Sequence, residues 1–227
     1  MSKKGFDREV NTWNSLYSNG ASGQKRYAIF QKNAAQRTIR RMDICLRLLD
    51  PKPGMKILDV GCGSGIFSQK ITDKDAYWYG ADISFKMLIH GKSNMKGNAT
   101  RLKEWVNGSA DRIPFRDSVF DAVACIGVLN FYKKGMMSDF LGEIGRVLRP
   151  GGAVILTSLR LDILTWFRSR LYPTIPLPFS SPGPLHPMHY RTILDTVDPA
   201  MFECVEMIHV KKYLYLPHYT IFKIIKK

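Results

Sequence analysis

Apolar and polar positions follow two rhythms along this chain. In "NAAQRTIRRMDICLRLLD" (33–50), Ile39, Met42, Leu46 and Leu49 recur at helical spacing, with the arginines on the other face. Residues 6–50 are expected to be helical, stopped by Asp50-Pro51 and Pro53-Gly54. Beyond that point short apolar runs take over. Met55–Val60 reads as a strand, and "GIFSQKITDKD" from Gly65 suits a helix. "AYWYGADI" (76–83) reads as a second strand, and "SFKMLIHGKSNM" as a helix with Ser84 as its cap. "EWVNGS" (104–109) is a short third strand. "FDAVACIGVL" (120–129) is nearly unbroken apolar sequence, as a central parallel strand requires. "MMSDFLGEIGRVL" (136–148) is amphipathic, Arg149-Pro150-Gly151-Gly152 is a turn, and "AVILTSL" (153–159) is another buried strand.

Strand and helix alternate five times, which predicts a parallel sheet covered by helices on both faces. The tail differs: "MFECVEMIHV" and "YTIFKIIKK", joined by "KKYLYLPH", are expected to pair antiparallel at the sheet edge. The proline-rich stretch 173–187 is an irregular excursion. The expected fold is an α/β, Rossmann-like, seven-stranded and mostly parallel sheet with an antiparallel C-terminal edge hairpin and an N-terminal helical cap. One domain would hold all 227 residues. It divides into the cap at 1–50, a cofactor-binding core at 51–159, an insertion or lid at 160–192, and a C-terminal helix and hairpin at 193–227.

Charge narrows the partner. Thirty-four lysines and arginines against 19 acids give a net charge of +15. That favours an anionic partner: nucleic acid, an acidic membrane surface, or a phosphorylated or carboxylated substrate. Cys45, Cys62, Cys125 and Cys204 are far apart in sequence, so neither a disulfide framework nor a metal site is expected. "MSKKGFDREVN" has no apolar core behind its lysines, and no run reaches the roughly 18 apolar residues of a membrane span. A cytoplasmic protein is expected.

The chemistry starts at "ILDVGCGSG" (57–65), where a buried strand runs into three alternating glycines. A glycine turn between strand and helix lets the backbone pass close to a ligand. Asp82 ends the next strand, where a carboxylate can hold both hydroxyls of a ribose. Loop and acid together imply a nucleoside ligand. A dinucleotide fingerprint would need a third glycine where Ile66 stands.

The spacing Gly61, Gly63, Gly65 resembles the first motif of class I S-adenosylmethionine-dependent methyltransferases. "GSADRIPFRDSVFDAVACIGVLNFY" and "GEIGRVLRPGGAVILTS" are similar to later segments of that family, in the right order, over about residues 55–158. The branch resembled is the small-molecule and quinone-type one, methyltransferase domain 11-like. The resemblance implies S-adenosyl-L-methionine as cofactor and S-adenosyl-L-homocysteine as product. It places Gly61, Cys62 and Gly63 under the methionine and ribose, and Asp59 at the loop amides or the methionine amino group. Asp82 would bind the ribose hydroxyls, with Ile83 and Met87 against adenine. Ile126 would offer a backbone carbonyl near the methionine end. Many relatives carry an aspartate that binds the adenine amino group where this chain has Ser109, and the backbone of Ala110 adds a second contact. Arg37 echoes a helix arginine that reaches the cofactor carboxylate, with Arg40 and Arg41 as competitors.

Methyl transfer from a sulfonium needs positioning and sometimes a base. Asn130-Phe131-Tyr132 replaces the His-His pair of many relatives and lacks the prolines of adenine N-methylases. The acceptor pocket is expected from Trp13, Tyr17, Tyr27, Asn130, Tyr132, His186, His189 and Tyr190. Catalytic candidates are His186, His189 and Tyr132. "LTWFRSRLYPTIPLPF" (164–179), with Trp166, Phe167, Tyr172 and Phe179 beside Arg168 and Arg170, suits a membrane interface or a lid. The leading expectation is a methyltransferase for a small-molecule acceptor that is apolar, anionic or lipid-linked. An RNA (tRNA) methyltransferase, suggested by the charge, and a non-catalytic cofactor binder are the alternatives.

Overall fold

The computed structural model describes residues 25–94, 101–160, 190–210 and 218–227. In chain order these form α1 (Lys25–Leu49), β1 (Lys56–Val60), α2 (Ile66–Thr72), β2 (Tyr77–Asp82), α3 (Phe85–Asn94), β3 (Leu102–Asn107) and β4 (Phe120–Cys125). Two short 3-10 turns, Leu129–Phe131 and Lys134–Met136, lead into α4 (Met137–Val147). β5 (Leu148–Arg160), α5 (Tyr190–Leu194), β6 (Phe202–Val210) and β7 (His218–Lys226) complete the set.

The seven strands form one sheet in the order β3-β2-β1-β4-β5-β7-β6. β1 pairs parallel with β2 and β4, β2 with β3, and β4 with β5. β7 runs antiparallel between β5 and β6. The order reverses between β1 and β4, which is where open α/β sheets leave a crevice beyond the strands' carboxyl ends.

Period-two alternation divides the core into two layers. Leu58, Val60, Val123, Cys125, Val154, Leu156, Phe222 and Ile224 face α4 and α5, beside Phe140 and Ile144. Ile57, Ala122, Ala124, Ile155 and Ile221 face the other way, onto Met42, Cys45, Leu49, Phe67 and Leu88 of α1 to α3. Strands buried on both sides must be apolar throughout, hence the unbroken run that begins at Phe120.

The structure corrects several details. β4 ends at Cys125, not at Leu129. Gly127 takes φ +85° and breaks the strand, and Leu129 is apolar because it is buried in the loop beyond. β3 spans 102–107 and not 104–109. The Arg149-Pro150-Gly151-Gly152 turn is a bulge within β5. Leu148 pairs with Phe120 and Ala153 with Ala122, so residues 149–152 of β5 stand opposite the single residue Asp121 of β4. Asp121 anchors that end, accepting from Lys56 N at 2.7 Å and from Arg149 Nη1 at 2.6 Å. On α1 the expected stripe is turned: Met42, Cys45, Leu48 and Leu49 are buried, whereas Ile39 is exposed. Arg41, expected with the other arginines on the polar face, is only 8% exposed. Among the described residues no helix is long and apolar enough to cross a membrane.

Candidate active site

The crevice at the β1–β4 reversal is built by the glycine loop. Gly61 takes φ +71°, and a Cβ there would sit 2.1 Å from Cγ2 of Val128. Only glycine lets this loop pass under the loop that follows β4. Gly61 N and Cys62 N both donate to Ala81 O, at 2.7 and 3.1 Å, and hook the turn onto β2.

Asp82 fastens the same loop from the end of β2. Its Oδ2 accepts from Gly63 N at 2.8 Å and its Oδ1 from Ser84 N at 2.7 Å. Ser84 caps α3 by accepting from Met87 N at 3.3 Å. Met87 is buried and lies against Gly63, and Ile83 is half-buried beside it. Asn107 Nδ2 donates to the carbonyls of Asp82 and Ile83, at 2.8 and 3.0 Å, tying β3 to this rim.

Asp59, on β1 just before the loop, is buried at 3% exposure and its Oδ2 has no hydrogen-bond partner. Burial raises its carboxyl from 3.8 to about 8; the Trp78 indole opposes the rise and the charge of Asp82 adds to it. Sequence reasoning left Asp59 either to the loop amides or to a ligand amine. The loop amide of Gly63 goes to Asp82, and Asp59 Oδ2 is uncommitted.

Arg41 reaches the same crevice from α1. Its guanidinium stacks 4.5 Å from the Tyr219 ring centroid. It lies beside Gly127, where an added Cβ would be 3.7 Å from Nη2. Arg41 Nε is buried without a partner. Both Arg41 and Asp59 act on the buried Cys45 thiol, with opposite signs, while burial pushes that thiol up to about 12. Arg37 lies one turn earlier on α1, and its side chain is outside the described residues. Arg40 is exposed and Arg41 is buried. Helical spacing alone could not find it, because the signal is which face meets β7.

Beyond β4 the site changes character. Ile126 is half-buried, and Gly127 N donates to Thr157 Oγ1 at 2.7 Å. Asn130, expected to line the acceptor pocket, is buried and accepts from Leu159 N at 2.7 Å, so its amide oxygen braces β5. Tyr132 bonds to Ser109 and to the Ala110 backbone, and burial raises its hydroxyl to about 12. A phenol with that value is protonated at neutral pH and donates its proton in a hydrogen bond. Ala110 is buried, and the Ser109 loop closes through Arg112 N to Ser109 O at 3.1 Å. The Cys62 and Cys125 thiols are buried and raised by that burial, which keeps both from being nucleophiles.

Trp13, Tyr17, His186 and His189 lie outside the described residues, as does the Tyr27 side chain and the aromatic-basic stretch 164–179. Tyr190 begins α5 and meets the His209 ring edge-on at 5.1 Å. His209 Nδ1 lies 3.1 Å from Thr220 Oγ1. This histidine escaped sequence reasoning because it sits in an alternating strand with no motif around it.

A family profile described as a methyltransferase domain matches residues 58–156. Demethylmenaquinone methyltransferase of Bacillus mycoides (strain KBAB4) is 32% identical over 130 residues, 54% of this chain and 52% of that protein. The chain thus spans about half the length of the curated relatives it matches. Magnesium protoporphyrin IX methyltransferase from Synechocystis PCC 6803, solved with bound S-adenosylhomocysteine, superposes with a TM-score of 0.75 at 17% identity, over 99% of each chain. A [4+2]-cyclase superposes with a TM-score of 0.72 at 17% identity, over 99% of this chain and 94% of that one. These structures share the fold, the Rossmann-like sheet expected from the alternation of elements.

Proposed function

We propose that this chain, matched by a methyltransferase-domain profile over residues 58–156, transfers a methyl group from S-adenosyl-L-methionine to a small-molecule acceptor. The observation that carries the cofactor reading is the pair of uncommitted buried groups. Asp59 Oδ2 and Arg41 Nε both lack partners at the crevice of the glycine loop. Buried polar groups without partners are rare and costly. An ammonium and a carboxylate on one ligand complement them, and the amino-acid end of S-adenosylmethionine carries both. Asp82 would take the ribose hydroxyls while holding Gly63. Gly61, Cys62 and Gly63 would pass beneath the ribose and methionine, and the Ile126 carbonyl would face the methionine end. Ile83 and Met87 would flank adenine, with Ser109 and Ala110 facing its amino group.

When bound, the cofactor supplies an activated sulfonium methyl. The protein's part is to orient it, exclude water and receive the acceptor over the loop after β4. A relative named for a quinone substrate and a structural neighbour named for a porphyrin support a flat, largely apolar acceptor. The RNA alternative rests on charge alone, and no feature of the described site favours it.

Calorimetry provides the test. S-adenosylhomocysteine should bind, and 5′-methylthioadenosine, which lacks the amino-acid end, should bind at least 30-fold more weakly, about 2 kcal/mol. Arg41→Gln should narrow that gap. Equal affinity for the two ligands would show that Asp59 and Arg41 face something else. Labelled cofactor incubated with lipid and aqueous fractions of cell extract then identifies the acceptor.

A further inference from the structure

α3 packs one face against the sheet and turns the other to water. Met87, Leu88 and Gly91 face inward, while Phe85, Lys86, Ile89, Lys92 and Ser93 are exposed. Such an outer face is ordinarily polar. Here Phe85 is 53% exposed and Ile89 52%. Four residues apart, they stand one above the other and form a single apolar ridge.

The helix cannot roll to hide that ridge. A Cβ on Gly91 would lie 2.5 Å from the Trp105 ring and 2.8 Å from Ser64 O, so the helix rests directly on β3 and the glycine loop. Ser84 fixes its first turn through Met87 N. α3 contains no acidic residue, and the exposed Lys86 and Lys92 lie alongside the ridge. α3 begins three residues after Asp82 and rests on the glycine loop, so the ridge stands beside the proposed cofactor crevice.

We propose that the outward face of α3 docks this chain on an anionic lipid bilayer. Phe85 and Ile89 enter the interfacial region, and Lys86 and Lys92 meet lipid phosphates. Charge complementarity selects this occupant. A second copy would set one chain of net charge +15 against another. A nucleic acid would answer the lysines but leave Ile89 in water. The docked pose holds the crevice rim at the bilayer, where an apolar acceptor would dissolve.

The test needs no cofactor, so its failure is separable from a failure of methyl transfer. The full chain is sedimented with vesicles of equal phosphatidylcholine and phosphatidylglycerol, and with phosphatidylcholine alone. It should bind the first at low salt and the second at least tenfold more weakly. Phe85→Ser with Ile89→Ser should lower partitioning about tenfold or more, and Lys86→Gln with Lys92→Gln by roughly 30-fold. Val205→Ser with Met207→Ser, which removes exposed apolar residues from the distant β6 edge, should change nothing. An added Trp at Phe85→Trp should shift its emission to the blue when anionic vesicles are added. Wild-type partitioning by a folded Phe85→Ser, Ile89→Ser variant overturns the proposal. So does an unshifted emission, or binding of single-stranded RNA with no binding to vesicles.

Discussion

Two groups of charged side chains flank the sheet, one partly exposed and one buried, and the fold treats them oppositely. Arg146 on α4 uses every donor of its guanidinium. It bonds Glu143 twice, at 2.8 and 2.9 Å, Asp117 at 2.7 Å, and the carbonyls of Ile113 and Phe115 at 2.8 Å each. Glu143 Oε2 also accepts from Ile113 N at 2.8 Å. Around the glycine loop, Asp59 Oδ2 and Arg41 Nε are buried with no partner. A satisfied network ties the 113–117 loop to its helix and lowers the free energy of the fold. An unsatisfied one costs stability until a ligand completes it. The difference separates scaffold from site without reference to any motif.

The largest effect is expected from Asp82→Ala. Asp82 holds the Gly63 and Ser84 amides and would hold the ribose, so two losses combine. Cofactor affinity measured by calorimetry should fall at least 100-fold, about 2.7 kcal/mol. Retention within tenfold would mean that the ribose lies elsewhere.

Asp59→Asn comes next, with affinity expected to fall roughly 30-fold near pH 8. Stability should move the other way. The folded carboxyl sits near 8 against 3.8 in an exposed setting, chiefly because burial disfavours its charge. The unfolded chain therefore releases this proton first, and wild-type stability erodes as pH rises from about 4 to 8. Asparagine has no proton to release, so the variant should gain on wild type across that window in thermal melts. Ligand ammonium favours the charged carboxylate, so wild-type binding should release a proton below pH 8 and tighten as pH rises. Calorimetry in buffers of different ionisation enthalpy measures this. A variant with the wild-type pH profile would remove Asp59 from the open set.

Arg146→Met tests the scaffold side. Its loss should cost about 2 kcal/mol in denaturant melts, moderated by the partial exposure of these groups. Cofactor affinity should stay within threefold. A loss of affinity without a loss of stability would reverse the assignment of the two networks.

The fold was legible because its signals are local and repeated. The runs at 57–60, 122–125 and 153–156, apolar but for Asp59, predict strands buried on both faces. Each β-like run of the tail likewise became a strand of the sheet. The departures are tertiary. Gly127 ended β4 inside an apolar run, and the Arg149–Gly152 bulge stayed within its strand because Leu148 still found Phe120 across the sheet. The glycine loop and Asp82 were legible because positive φ and a strand-end carboxylate leave a motif. Arg41 did not, since its burial depends on where α1 crosses β7 and Tyr219. Nor did the commitment of Asn130 to Leu159 N, a bond between elements 29 residues apart.

Tyr132 gives the smallest expected effect and the finest test. It sits where its hydroxyl joins Ser109 and the Ala110 backbone, so it links the loop after β4 to the loop proposed to face adenine. Tyr132→Phe removes that one hydroxyl and leaves the ring against Phe140. One net hydrogen bond is worth about 0.5–1.5 kcal/mol, so cofactor affinity should weaken three- to tenfold. The turnover number and its pH profile should hold once cofactor is saturating. A general base would behave differently: its removal lowers turnover by roughly 100-fold or more and erases one limb of the pH profile. The raised value of this phenol, imposed mainly by burial, argues for the first outcome. A collapse of turnover at saturating cofactor would transfer Tyr132 from the loop it braces to the reaction itself.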